Sequence, residues 1–190
     1  ADFSGGSGSI NYPGAVTLRY DGASNVNSAS NFSEFQTGTT TDVIVESGVN
    51  LNDDGLTARS FDFQTSGGGD FDVADGGDQT FTVTGDVTQA SGAGFFENED
   101  NDNTGTVVLG GSSQQTLTLN GDGEFAAVDR DSDDDEVLNL ELDNSSGAVI
   151  SGGNLIMDAA PGSNEGVTNL VLTEGNLSTG SNYVQLDHEN

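Results

Sequence analysis

The chain has 190 residues, 32 of them acidic against 3 basic, for a formal net charge of −29, with no cysteine and 32% hydrophobic side chains. A surface of that sign repels nucleic acid and anionic membranes, and without Cys there are no disulfides. The cations are Arg19, Arg59 and Arg130, so lysine-based crosslinks are excluded as well, and no run of 18 apolar residues reads as a membrane-spanning helix.

Residues 1–14, ADFSGGSGSINYPG, form a Gly/Ser-rich leader with isolated Phe3, Ile10 and Tyr12. Such a leader is flexible alone. A neighbouring subunit or its own domain would have to hold it. The opening ADFSGG reads either as the end left by signal-peptide removal or as the boundary of an expressed fragment. The first option implies a secreted, extracellular protein.

Residues 15–190 read as one domain of short strands. Val16-Thr17-Leu18-Arg19-Tyr20 is the first, before an Asp21-Gly22 turn. Phe32 to Phe35, Val43-Ile44-Val45 and Val49-Asn50-Leu51 follow. Then come Phe61-Asp62-Phe63, Phe71-Asp72-Val73 and Phe81-Thr82-Val83, about ten residues apart, which fits successive faces of one coil of roughly 20 to 30 residues. From Val137 onward, apolar residues alternate with polar ones at Leu138, Leu140 and Leu142, then at Leu170 and Leu172. Period-two alternation places one set of side chains on one face of a strand. Corners rich in Asn, Ser and Gly interrupt these runs at 143–147, 151–154 and 179–182. The expected fold is all-β: a parallel β-helix, or solenoid, of short coils. An antiparallel β-sandwich or jelly roll uses similar strands, with Asp-Gly and Asn-Gly pairs as hairpin turns.

The C-terminal half resembles a repeat module of secreted and surface-attached proteins of the Bacteroidota phylum. One line is LELDNSSGAVISGGNL, from Leu140 to Leu155, and another is LVLTEGNLSTGSNYVQL, from Leu170 to Leu186. Upstream, TVVLGGSSQQTL from Thr106 to Leu117 is similar to the line that usually precedes them. The resemblance implies a parallel β-solenoid at the cell surface, serving as stalk, adhesin or passive carrier. It implies no chemistry.

Two acidic runs, 97–105 and 129–136, lie between predicted strands and are expected as protruding loops. Calcium takes six to eight oxygen ligands, and alternating acids in a loop supply them. Asp100, Asp102 and Thr104, with Gly105, form D-x-D-x-T-G, and Asp131, Asp133 and Asp135 form D-x-D-x-D. Neither run has the distal Glu of an EF-hand. The bland reading is solvated acid suited to high salt, where screening shortens the reach of self-repulsion. Catalysis finds little material: there is no Trp, no Lys, and one histidine, His188, around which no triad or zinc set can be built.

The expected function is therefore structural and non-catalytic: an extracellular solenoid, acidic in the manner of halophilic proteins, that assembles with itself into a surface filament or layer. No cofactor is required, Ca2+ being the one candidate. Solenoid ends expose strand edges and apolar coil faces. Val16 and Leu18 at one end and Tyr183, Val184 and Leu186 at the other are candidates for a head-to-tail contact. Phe3, Ile10 and Tyr12 are candidates for strand addition to a neighbour. The alternative is an adhesin or carbohydrate-binding module that meets surface glycans and carries calcium in its acidic loops.

Overall fold

The computed structural model describes residues 14–20, 41–46, 49–50, 56–64, 71–74, 77–91, 93, 95–98, 103–121, 123–127, 136–159 and 166–187. Within them the chain opens with β1 (Val16–Tyr20) and then repeats a three-strand cycle. The cycles are β2 (Thr41–Val45), β3 (Val49–Asn50), β4 (Leu56–Ala58); β5 (Ser60–Phe63), β6 (Phe71–Asp72), β7 (Gln79–Val83); and β8 (Val87–Gln89), β9 (Phe96–Asn98), β10 (Thr104–Leu109). Two more follow: β11 (Gln115–Leu119), β12 (Gly123–Ala127), β13 (Val137–Asp143); and β14 (Ala148–Ser151), β15 (Leu155–Ala159), β16 (Val167–Glu174). A last turn begins with β17 (Leu177–Ser178) and β18 (Val184–Asp187).

The first strand of each cycle joins a first sheet with β1 and β17, seven strands deep. The second strands and β18 form a second sheet of six, and the third strands form a third sheet of five. Every pairing is parallel. The fold is a β-solenoid, and the parallel ladders exclude the antiparallel sandwich. The three Phe-containing strands spaced ten apart are β5, β6 and β7, one on each sheet of a single coil.

The coil is more variable than the expected 20 to 30 residues. Asp42 pairs with Ser60, eighteen positions on, and Leu117 pairs with Ile150, thirty-three on. The additional residues of the long coils enter connections, because the ladder fixes the length of the paired strands but not of the corners. Phe32 to Phe35 lies outside the described residues.

Inward positions form columns along the stack. In the first sheet one column runs Leu18, Val43, Phe61, Val87, Leu117, Ile150. In the third, Phe81, Val107, Leu140 and Leu170 share a column, as do Val83, Leu109, Leu142 and Leu172. These columns meet in one apolar core along the axis. Its early coils are filled by phenylalanine: the Phe61 ring centroid lies 5.0 Å from Phe63, 4.8 Å from Phe71, 5.4 Å from Phe81 and 5.0 Å from Phe96. Edge-to-face and tilted pairs at such separations add to the stabilisation from burial.

Corners are held by buried amides. Gln115 Nε2 donates to the carbonyls of Val83 (2.9 Å) and Gly85 (2.6 Å), and its Oε1 accepts from Gly111 N (3.0 Å) and Asn144 Nδ2 (2.9 Å). Asn144 Nδ2 also donates to Ser113 O at 2.8 Å, and its Oδ1 accepts from Ser146 N at 2.9 Å. Three successive coils are thereby tied at one edge. Directly above, Gly175 has φ +89, and a Cβ there would lie 2.0 Å from Asn144 O, so the corner stack demands glycine on both counts.

Phe61→Ala should cost about 3–5 kcal/mol, the range for deleting a buried Phe, read as a lower denaturant midpoint in equilibrium unfolding. Gln115→Leu keeps the volume but leaves buried backbone groups unpaired at the corner. It should cost at least about 1–3 kcal/mol in the same measurement.

Candidate functional site

The feature that departs from the repeating pattern is the last coil. Its three strands, β16, β17 and β18, each end the strand order of their sheet. A terminal strand presents unpaired N–H and C=O groups. The inward columns also run out here. Leu172 stacks on Leu142 and Leu186 stacks on Met157, yet Leu172 is 56% and Leu186 64% exposed, while both residues beneath them are buried. Leu170, Leu177 and Val184 are partly buried against the core. The coil therefore offers a floor of apolar side chains framed by three parallel strand edges. That arrangement supports non-covalent addition of another parallel coil.

The expected assembly residues fall at the two ends. Tyr183 is 51% exposed, with its amide donating to Asn154 Oδ1 at 3.2 Å, and Val184 and Leu186 lie on β18. Val16 and Leu18 lie on β1, the other terminal strand of the first sheet. Their column positions are half-buried there, whereas the next strand, β2, buries the same column completely. Phe3, Ile10 and Tyr12 lie outside the described residues.

The candidate calcium ligands Asp100, Asp102, Asp131, Asp133 and Asp135 also lie outside the described residues, as does His188. Thr104 and Gly105 belong to β10, so the first acidic run enters a strand rather than remaining a loop throughout. Thr104 N donates to Asp78 Oδ1 at 2.8 Å, and Gly105 faces Leu138 from a buried position. Glu136, at the end of the second run, is fully buried, and its carbonyl accepts from Val167 N at 2.7 Å. Among the described residues no cluster of three or more His, Asp or Glu side chains is arranged to hold a metal ion.

Acidic residues occur in the registers of all three sheets. On the second sheet the register aligns Asp72, Glu97, Ala126, Asp158 and Asp187 in one column, in which Asp72 is buried and its Oδ1 accepts from Ala74 N at 3.1 Å. The first sheet carries Asp42 and Asp62 near its beginning, together with the two described arginines. Arg19 bridges to Glu46 at 3.1 Å. Arg59 grips Asp42 through both oxygens, Nε to Oδ1 at 2.8 Å and the second guanidinium nitrogen to Oδ2. On the third sheet two central outward columns are Thr80, Thr106, Asn139, Asn169 and Thr57, Thr82, Val108, Glu141, Val171, and exposed Asp143 pairs with exposed Glu174 at the strand ends. Asn139 Nδ2 donates to Thr106 Oγ1 (3.2 Å) and Asn169 Nδ2 to Asn139 Oδ1 (3.0 Å). These columns carry no charge pattern or repeat motif in the linear sequence. They become visible only once the coil register aligns them.

Comparison with protein-family models, curated proteins and solved structures finds no match.

The hydrogen bond from Arg59 holds the Asp42 carboxyl below the usual carboxylate range, outweighing partial burial, and Ser60 Oγ (2.7 Å) adds to it. A carboxyl whose pKa is depressed by folding stabilises the fold above its unfolded pKa of about 3.9 and loses that contribution as pH falls through the folded value. Asp42→Asn should lower the unfolding midpoint slightly at neutral pH and low salt. The difference from wild type should vanish in strong acid and shrink in molar salt, which screens this half-exposed pair.

Proposed function

We propose that the chain is a non-catalytic structural subunit, exported to the cell exterior, that assembles end to end into a surface filament or layer. The observation that carries this reading is the last coil: Leu172 and Leu186 occupy core columns and face solvent, beneath three strand edges that each lack a further partner within the described chain. A parallel edge on all three sides is completed by one object, another parallel coil. A second copy supplies it at its β1 end, where Val16, Leu18 and Tyr20 continue the inward columns half-buried. The contact joins two different surfaces, so it propagates rather than closing into a pair. The sequence-level resemblance to surface-attached solenoid modules agrees with this location. The net charge of −29 opposes assembly in dilute buffer and favours it in concentrated salt, where the Debye length falls to about 3 Å.

Negative-stain electron microscopy in molar salt tests the proposal, comparing wild type with the double variant Leu172→Glu, Leu186→Glu. Both side chains already face solvent, so circular dichroism should show an unchanged β fold. Wild type should form regular filaments and the variant separate short particles. Separate particles from wild type would overturn the reading.

A further inference from the structure

We propose that residues 9–12 of each copy, Ser-Ile-Asn-Tyr, add as a parallel strand to β16 of the neighbouring copy and complete the third sheet at the joint. The inference deepens the end-to-end reading and rests on it. Its evidence is the winding order of the strands. Each described cycle runs first sheet, second sheet, third sheet, and the last described strand, β18, lies on the second. The next place in the winding is therefore on the third sheet, over β16, where Leu172 is 56% exposed. In the docked copy, β1 takes the first-sheet place over β17. Within the described chain, a third-sheet strand precedes each first-sheet strand from β5 onward: β4 before β5, β7 before β8, β10 before β11, β13 before β14 and β16 before β17. The segment that precedes β1 is the leader, so the winding order assigns the open place to it.

The leader's sequence fits that place. Between a third-sheet strand and the first-sheet strand after it, the corner has one to five residues, Arg59 alone at one extreme and residues 110–114 at the other. A strand ending at Tyr12 leaves Pro13, Gly14 and Ala15 before β1, and Gly14 is an exposed bend. Proline cannot donate to a ladder and holds the residue before it extended, so Pro13 ends the strand and suits Tyr12 to it. Ile10 and Tyr12 fall on one face of that strand, Ser9 and Asn11 on the other. Tyr12 is then the last inward side chain, over Leu172, and Ile10 lies over Leu170, so both third-sheet core columns continue. Asp2 is the only charged side chain in residues 1–14, so the added strand brings little repulsion of its own. The leader that fills the place belongs to another copy. The first sheet is seven strands deep, which separates β1 from β17 by roughly 29 Å. The stretch from Tyr12 to Val16 reaches only about 14 Å at full extension.

The test compares two pairs of substitutions of equal charge in the full chain. Ile10→Asp with Tyr12→Asp alters the inward face of the leader strand, and Ser9→Asp with Asn11→Asp alters the outward face. Negative-stain microscopy in molar salt should show filaments for wild type and the outward pair, and separate particles for the inward pair, all with the same circular dichroism. The chain has no cysteine, so engineered cysteines read the register directly. In the proposed register Asn11 lies over Val171, and adjacent strands about 4.8 Å apart are within disulfide reach. A mixture of Asn11→Cys and Val171→Cys proteins, oxidised after assembly, should give a dimer of one copy of each, and neither protein should crosslink alone. Equal behaviour of the two aspartate pairs, or filaments from the cysteine mixture without the crosslink, overturns the leader strand and leaves the axial contact through β1 standing. Wild type that forms no filaments overturns the axial reading and this strand with it.

Discussion

The structure depends on parallel, in-register stacking of coils. Parallel ladders place each residue over its counterpart in the next coil, so the inward side of every strand must match the columns above and below it. This explains how a chain of low hydrophobic content builds a core: among the described residues, columns such as Leu18 to Ile150 keep apolar side chains in register along the axis, while Thr, Ser, Asn and Asp take many of the outward positions. It also explains the buried amides. Each corner leaves backbone groups that no ladder reaches, and Gln115 and Asn144 connect those groups across three coils. A short amide side chain can satisfy a corner without carrying a charge into the core.

Stacking of this kind has no internal stopping rule. Each coil leaves the next one an apolar floor and three open edges, and the last described coil leaves both. On the proposed end-to-end assembly, the same geometry that stabilises the interior also supplies the contact surface. Charge acts as the opposing constraint. With −29 on each copy, contact is restricted to places where carboxylates are sparse or screened. In the proposed axial contact the end of the stack meets that condition through its apolar columns. Salt then governs how far the proposed contact proceeds.

Much of the fold was legible in the sequence because alternation and corner composition are local signals. The x-Asp-x triplets at Phe61–Phe63 and Phe71–Val73 marked consecutive faces of a coil, and the Asn-Ser-Gly runs marked corners. Register was not legible. A coil that spans 18 residues at one point and 33 at another cannot be aligned by a fixed period, so no outward column could be read in advance. For that reason the corner role of Gln115 came only from the structure. Tyr183, Val184 and Leu186 were found by position near the end of the pattern. Leu172, the other strongly exposed core-column residue, was hidden inside an ordinary alternating strand.

The most direct measurement is hydrogen exchange across the last coil as a function of protein concentration in molar salt. Amides of Val167–Glu174, Leu177–Ser178 and Val184–Asp187 that do not donate to the inner strand should exchange fast in dilute protein and become protected as assembly proceeds, with the outer-edge amides of β1 gaining protection in parallel. The interior strands should hold the same rate throughout. Exchange at the last coil that stays fast at every concentration, or protection already complete in dilute monomer, would contradict an open end that a second copy fills.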